Sequence, residues 1–256
     1  MKKILAGNWK LHKTRTEVKS FVDACQASPL LKKIRQTRMI VIPSPVLLES
    51  AVLSASALHT QLEIFSQNSS TEVSGAWTGE TSPTQLLDVG VRGTLVGHSE
   101  RRTFFGDTDA TCEKRATLAL VQGLDVIYCI GETLAEREAG QTQKVLKTQI
   151  DAYIKAVKAA RQAGAHASAM VAYEPVWAIG TGKVAGPEQV AEAHAWIHRD
   201  LEAASTVSPI LYGGSVKPSN FKELAAIPFV AGALVGGASL EPKDYLALLE
   251  ILDQAP

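Results

Sequence analysis

Cysteine is scarce in this chain, and the three present, Cys25, Cys112 and Cys129, are odd in number and lack CxxC or metal-ligand spacing. That pattern argues against a disulfide framework and a cysteine-based zinc site, and it predicts free thiols in a reducing compartment, with the cytoplasm as the expected location. Charge of one sign is missing too, since 26 basic residues balance 26 acidic ones. Without a broad positive field, no binding to nucleic acid or an anionic membrane is expected, and a small anionic ligand would have to be held by local groups. No apolar run approaches the roughly 18 residues of a membrane-spanning helix. The opening Met1-Lys2-Lys3-Ile4-Leu5-Ala6 begins like an export signal. Its apolar part stops at Asn8-Trp9-Lys10, short of the roughly seven residues such a signal needs, so export by that route is not expected.

What the chain does have is 46 % hydrophobic residues, enough for a large core, arranged as short apolar runs that alternate with longer stretches of helical pattern. The spacing predicts strands at 4–8, 39–43, 62–66, 93–96, 125–130, 169–173, 210–212 and 232–235. Helices are expected between and after them at 16–26, 45–54, 83–88, 109–122, 144–162, 187–203, 220–225 and 242–253. Eight such alternations in about 250 residues favour a closed parallel (β/α)8 barrel, the TIM-barrel architecture, over an open doubly wound sheet, because parallel strands need crossover helices. No linker, repeat or low-complexity segment interrupts the pattern, so residues 1–256 read as a single domain. The exception to compactness is 67–80, polar and containing Gly75 and Gly79, which is too long for an ordinary βα loop and therefore expected to meet a partner or ligand.

The most informative stretch runs from Met170 to Gly186. Met170-Val171-Ala172-Tyr173 is a run of the kind buried on both faces, and Glu174-Pro175 ends it, because proline cannot donate to a ladder. A carboxylate thus falls at the carboxyl end of a buried strand. Val176, Trp177 and Ile179 are too apolar for an ordinary surface loop, and Gly180 and Gly182 supply backbone freedom where a loop must hinge or touch a ligand. The combination reads as a base beneath a lid of Pro175, Val176, Trp177, Ala178, Ile179, Gly180, Thr181, Gly182 and Lys183. A surface carboxylate followed by a tryptophan that anchors a loop would look the same locally. Gly186-Pro187-Glu188 then opens a helix.

Barrels bind their ligands at the carboxyl ends of the strands, so the polar residues there matter most. The first strand ends in Gly7-Asn8-Trp9-Lys10 and the fourth in Gly97-His98-Ser99-Glu100-Arg101-Arg102, where Ser99 is expected to cap a short helical turn. A histidine at such a turn feels a positive potential that disfavours its charged form, which predicts a neutral imidazole. Taken alone, Lys10 could be solvated charge and His98 a packed core residue. The seventh and eighth strands run into Gly213-Gly214-Ser215 and Gly236-Gly237-Ala238, where backbone amides can converge on an anion, the usual phosphate position of such barrels. Other motifs fail. The glycines from Gly180 to Gly186 fit neither a dinucleotide fingerprint nor a Walker loop, and His194 and His198, one turn apart, lack the glutamate of a zincin and read as a mixed helix face. No Gly-x-Ser-x-Gly elbow is present.

Together, the segment from Tyr173 to Gly182, Gly7-Asn8-Trp9-Lys10, Gly97 to Arg102, Cys129-Ile130-Gly131-Glu132-Thr133, Tyr212 to Val216 and Gly236 to Leu240 resemble the triosephosphate isomerase family over nearly the whole chain. The resemblance implies interconversion of dihydroxyacetone phosphate and D-glyceraldehyde 3-phosphate through an enediolate, with no cofactor or metal. It implies Glu174 as the base, His98, Lys10 and Asn8 as stabilisers of charge on oxygen, and Glu100 as an orienting carboxylate. It also implies phosphate held by Gly180, Ser215, Gly236 and Gly237 with Gly213 and Gly214 beside them. The roles of the base, the neutral histidine and the closing loop are those for which this family is itself the standard example. By the same resemblance, the 67–80 loop, with Gly75, Thr78 and Glu80, would insert into a second subunit near Lys10 and Leu11 to form a homodimer, and Thr78 would brace the neighbour's Asn8 and His98.

Two departures from the family pattern stand out. His12 replaces a common asparagine, and His198 and Ala231 replace an arginine and an aspartate able to pair, so an ion pair behind the lid helix is expected to be missing without stranding either charge. Competing readings are another phosphate-binding barrel, an aldolase or a sugar-phosphate epimerase, or an inactive binding barrel. An aldolase needs a Schiff-base lysine on a central strand and a metal-dependent epimerase an inward His and Asp set, and neither is evident.

Overall fold

The structure, a computed structural model, describes residues 3–34, 36–58, 60–178 and 185–255. Among these residues, eight strands close into one parallel barrel: β1 Lys3–Asn8, β2 Thr37–Ile42, β3 Leu62–Ser66, β4 Gly93–Val96, β5 Asp125–Ile130, β6 Ala169–Tyr173, β7 Ile210–Tyr212 and β8 Val230–Val235. Each pairs with its neighbours in chain order, and β8 returns to β1 with Val235 beside Gly7. The period of two within each strand separates two cores. Ile4, Ala6, Ile40, Ile42, Phe65, Leu95, Ile127, Cys129, Met170, Ala172, Leu211 and Leu234 fill the barrel interior. The alternate residues, such as Leu5, Val41, Ile64, Val126, Val171 and Tyr212, pack outward against the helices.

Those helices are α1 Arg15–Ala27, α2 Leu48–Ala57, α3 Pro83–Asp88, α4 Ser99–Phe104, α5 Asp109–Gln122, α6 Leu134–Glu138, α7 Thr142–Gln162, α8 Pro187–Ala203, α9 Pro218–Ala225 and α10 Pro242–Gln254. Their starts are written locally. Thr14, Ser82, Thr108 and Thr133 form capping boxes, and proline takes the first position of α3, α8, α9 and α10, where its missing N–H costs nothing.

The strands expected at 62–66, 93–96, 125–130, 169–173 and 210–212 occur with those bounds. β2 ends at Ile42 because Pro43 has no N–H to give the ladder, and β8 starts two residues early at Val230. The helix expected over 45–54 is instead a 3-10 turn, Pro45–Leu47, running into α2. Helices α4 and α6 follow β4 and β5 and are too short to show a hydrophobic period.

The amino-terminal face of the barrel is tied across its strands. Arg38 of β2 donates to both oxygens of Glu63 on β3, at 2.8 and 2.6 Å, and to Asp125 of β5 at 2.7 Å. Where the family pattern would place an ion pair, His198 of α8 instead stacks on Phe229, centroids 4.1 Å apart and planes inclined by 15°. An aromatic contact thus joins the lid helix to the start of β8.

Candidate active site

The inward parity of the strands continues past their ends, and this brings remote residues to one mouth. Asn8 follows Ile4 and Ala6 on β1, Glu174 follows Met170 and Ala172 of β6, and Gly213 and Gly236 follow Leu211 and Leu234. Glu174 is registered by its backbone: its N–H donates to Ile130 O at 2.7 Å, and Gly213 donates to Tyr173 O at the same distance. Gly131 must lack a side chain, because a Cβ there would fall 1.7 Å from Glu174 O.

The Glu174 side chain is only 2 % exposed for its residue, and both carboxylate oxygens are engaged. Oε2 accepts from the Ser99 backbone amide at 2.9 Å, and Oε1 lies 3.0 Å from His98 Nε2. On its other side, the His98 ring accepts at Nδ1 from the Glu100 amide at 3.2 Å. Nδ1 therefore carries no proton, and the hydrogen-bond pattern assigns a singly protonated ring whose proton sits on Nε2 and points at the carboxylate. This corrects one sequence expectation: the cap of α4 is His98, through its ring nitrogen, and Ser99 is the first helical residue. The Ser99 contribution is a backbone amide, which side-chain reasoning could not find.

Lys10 follows Asn8 and Trp9 in a tight turn with φ of +49°, held by its own N–H to Asn8 Oδ1 at 3.0 Å. Its ammonium pairs with Glu100 Oε1 at 2.5 Å, and its carbonyl accepts from Gln67 Nε2 at 2.7 Å. Gln67, the first residue of the long 67–80 excursion, thus steadies the Lys10 turn. Sequence reading gave that glutamine no such job.

Asn8, Lys10, His98 and Glu174 line a cavity of about 660 Å³ together with Gly213, Gly214, Ser215, Gly236 and Gly237. Its volume lies in the range usual for small-ligand sites. Cys129, fully buried in the barrel interior below, has its thiol pushed well above the usual value, first by burial and then by the Glu174 carboxylate. It is a packed, protonated group rather than a reactive one.

Of the lid, Pro175, Val176, Trp177 and Ala178 are described, whereas Ile179, Gly180, Thr181, Gly182 and Lys183 lie outside the described residues. Val176–Ala178 form a 3-10 turn, and Trp177 Nε1 donates to Glu132 Oε1 at 2.9 Å. Glu132 is wholly buried and also accepts from Tyr173 OH at 3.2 Å and Arg137 at 3.1 Å, while the Arg137 guanidinium lies 4.9 Å from the Trp177 ring centroid. The motif from Cys129 to Thr133 contains this carboxylate, but only the fold shows that it holds Trp177, Tyr173 and Arg137 together.

The excursion keeps Ser69 and Ser70 buried and faces outward from Glu72 to Glu80. Gly75, Thr78 and Glu80 are exposed, and Trp77 is 52 % exposed. Beside it a second cavity, of about 350 Å³, opens on Asn8, Lys10, His98 and Glu100 from the opposite side and is rimmed by Leu11 and Phe105. Leu11 is 93 % exposed. No group of three or more acidic, histidine or cysteine side chains among the described residues could hold a metal ion. His194 and His198 diverge, His194 being buried between Tyr173 and Tyr212. No helix among the described residues is long and apolar enough to cross a membrane.

The family model described as triosephosphate isomerase matches residues 3–252. A protein of that name from Citrifermentans bemidjiense is 42 % identical over 253 residues, covering 97 % of this chain and 98 % of the relative. Another of that name, from Geobacter metallireducens, is 44 % identical over 252 residues, covering 96 % and 97 %. One from Leptospira biflexa is 42 % identical over 260 residues, covering 97 % and 99 %.

Proposed function

The chain belongs to the triosephosphate isomerase family, and on that premise we propose how its own side chains interconvert dihydroxyacetone phosphate and D-glyceraldehyde 3-phosphate. The observation that carries the reading is the 3.0 Å contact of Glu174 Oε1 with His98 Nε2, in a ring that accepts at Nδ1 from the Glu100 amide. Glu174 exchanges its bonds to Ser99 and His98 for the substrate, takes the proton from the carbon beside the carbonyl, and returns it to the neighbouring carbon. His98 Nε2–H and the Lys10 ammonium face the oxygens on which charge develops, with Asn8 beside them. A neutral donor suits this step, because it stabilises the enediolate and can pass its proton between the two oxygens.

The amides of Ser215, Gly236 and Gly237, and Gly180 of the lid, are assigned to the phosphate. Local donors of this kind suit a chain with no net charge and no broad positive field. Closure of the lid that contains Trp177 and Ile179 excludes water, which would otherwise let the enediolate lose phosphate. Glu100 holds Lys10 in the cavity.

The same reading makes the active protein a homodimer. A partner's 67–80 loop fits the second cavity, where Leu11 and Phe105 lie bare and the floor is formed by Asn8, Lys10 and His98. A barrel whose first strand pairs with its last supports a single domain over the whole chain. Three buried free cysteines support a cytoplasmic location.

The test is turnover of glyceraldehyde 3-phosphate in a coupled assay without added metal or cofactor, with Glu174→Ala alongside. Fast turnover lost in the variant is expected. A folded, dimeric wild type that turns nothing over would overturn the reading and leave an epimerase, an aldolase or a phosphate-binding barrel to consider.

A further inference from the structure

We infer that Arg102 is a positioning residue for the proton-transfer pair, acting through the backbone that carries His98 and Glu174; this rests on the isomerase reading above. Arg102 lies on α4, turned away from the cavity, and its guanidinium makes three bonds in three directions. Nε donates to Gly97 O at 2.8 Å, Nη2 to Cys129 O at 3.3 Å, and Nη1 to Asp109 Oδ1 at 2.6 Å. Gly97 O belongs to the peptide that leads into His98. Cys129 O belongs to the peptide that leads into Ile130, whose own carbonyl receives the Glu174 N–H at 2.7 Å. One side chain therefore ties the end of β4, which bears the imidazole, to the end of β5, against which the base is registered. Asp109, the first residue of α5, anchors the guanidinium from outside.

The packing leaves no slack at this point. Gly97 has a left-handed φ of +70°, and a Cβ there would lie 2.9 Å from Arg102 Nη2 and 2.8 Å from Cys112 Sγ. Without the guanidinium, that peptide has lost its partner at the position where it sets the height of His98. Lysine cannot replace it, since an ammonium is a point charge and lacks the planar fork that reaches several fixed acceptors together. The 3.0 Å separation of His98 Nε2 from Glu174 Oε1 is the geometry that this brace holds.

The experiment compares wild type, Arg102→Lys and Asp109→Asn for kcat, KM, thermal melting and the NMR signal of the His98 Nε2 proton. Arg102→Ala, with and without added guanidinium ion, is measured in parallel. Because about 1 Å of misplacement can cost on the order of 10²-fold, Arg102→Lys is expected to lose about tenfold to 10²-fold in kcat. KM should change little, because phosphate contacts are untouched. The His98 signal should shift, and guanidinium should restore part of the activity of Arg102→Ala. Asp109→Asn keeps both backbone contacts and should lose less than Arg102→Lys. Wild-type kcat in Arg102→Lys would overturn the inference, as would a loss of activity that tracks melting while the His98 signal stays in place. If Arg102→Ala does not fold, the Lys and Asn variants decide the matter alone. An inactive wild type would instead count against the isomerase reading, so the two failures are distinguishable.

Discussion

His98 Nε2 stands 3.0 Å from Glu174 Oε1, so the donor and the base of the proposed reaction are hydrogen-bonded to each other at the wall of the cavity. The Ser99 amide holds the second oxygen at 2.9 Å. The carboxylate is thereby kept ordered and dry-sided, but it must leave both donors to reach a substrate carbon. Its reach is as much a part of the chemistry as its basicity.

Glu174→Asp tests that reach. The carboxylate is kept and withdrawn by one methylene, and since about 1 Å of displacement can cost on the order of 10²-fold, a loss of that size in kcat is expected. Steady-state kinetics check it. Near-normal turnover would remove Glu174 from the role of base.

The foot of the lid depends on Glu132, a buried carboxylate that accepts from Tyr173, Trp177 and Arg137. Glu132→Ala leaves these donors without their acceptor. The expected loss of stability is about 1–3 kcal/mol, the usual range for buried donors left unpaired. Urea unfolding measures it, and kcat/KM should fall with it because the lid loses its anchor. Unchanged stability together with unchanged kcat/KM would show that the anchoring is dispensable.

The exposed tip of the 67–80 loop offers a test of the proposed dimer. Thr78→Arg places a charge and extra bulk where a second copy would meet Asn8 and His98. Monomers are expected by sedimentation equilibrium, with kcat reduced on the order of tenfold or more if the partner loop steadies those side chains. A fully active monomer would separate catalysis from assembly.

His194 gives a pH dependence of stability. Burial lowers its pKa from 6.5 to about 4. Below 6.5 the unfolded chain binds a proton that the folded chain refuses until about pH 4, so stability is greatest above 6.5 and declines as pH falls through that window. At roughly 1.4 kcal/mol per pH unit, the decline amounts to about 3 kcal/mol. Chemical denaturation between pH 7 and 4 should show it against a His194→Phe control, in which this component is absent. Parallel profiles for the two proteins would refute the assignment.

The elements themselves were legible because the information for them is local. Strands buried on both faces write continuous apolar runs, and β3 to β7 take the bounds those runs mark. The helices expected from 83, 109, 187 and 242 begin at those residues, marked by a threonine cap at 108 or a proline at the first position, whereas α9 begins at Pro218, two residues before the expected 220. Strand ends that carry Asn8, Lys10, His98 and Glu174 also show in the sequence, because polar residues directly after apolar runs fall at the mouth of a parallel barrel.

What the chain could not reveal locally was which atoms meet. The proton on His98 Nε2 is assigned by an amide two residues away and aimed by a carboxylate from another strand. The partners of Glu132, the brace at Arg102 and the stacking of His198 on Phe229 join segments far apart in sequence. Sequence by itself determined the barrel and the residue types at its mouth, since hydrophobic period and turn chemistry act over a few positions. Hydrogen-bond partners, the tautomer and the burial of His194 were decided only by the tertiary structure, because closing the barrel sets their distances and their exclusion from water.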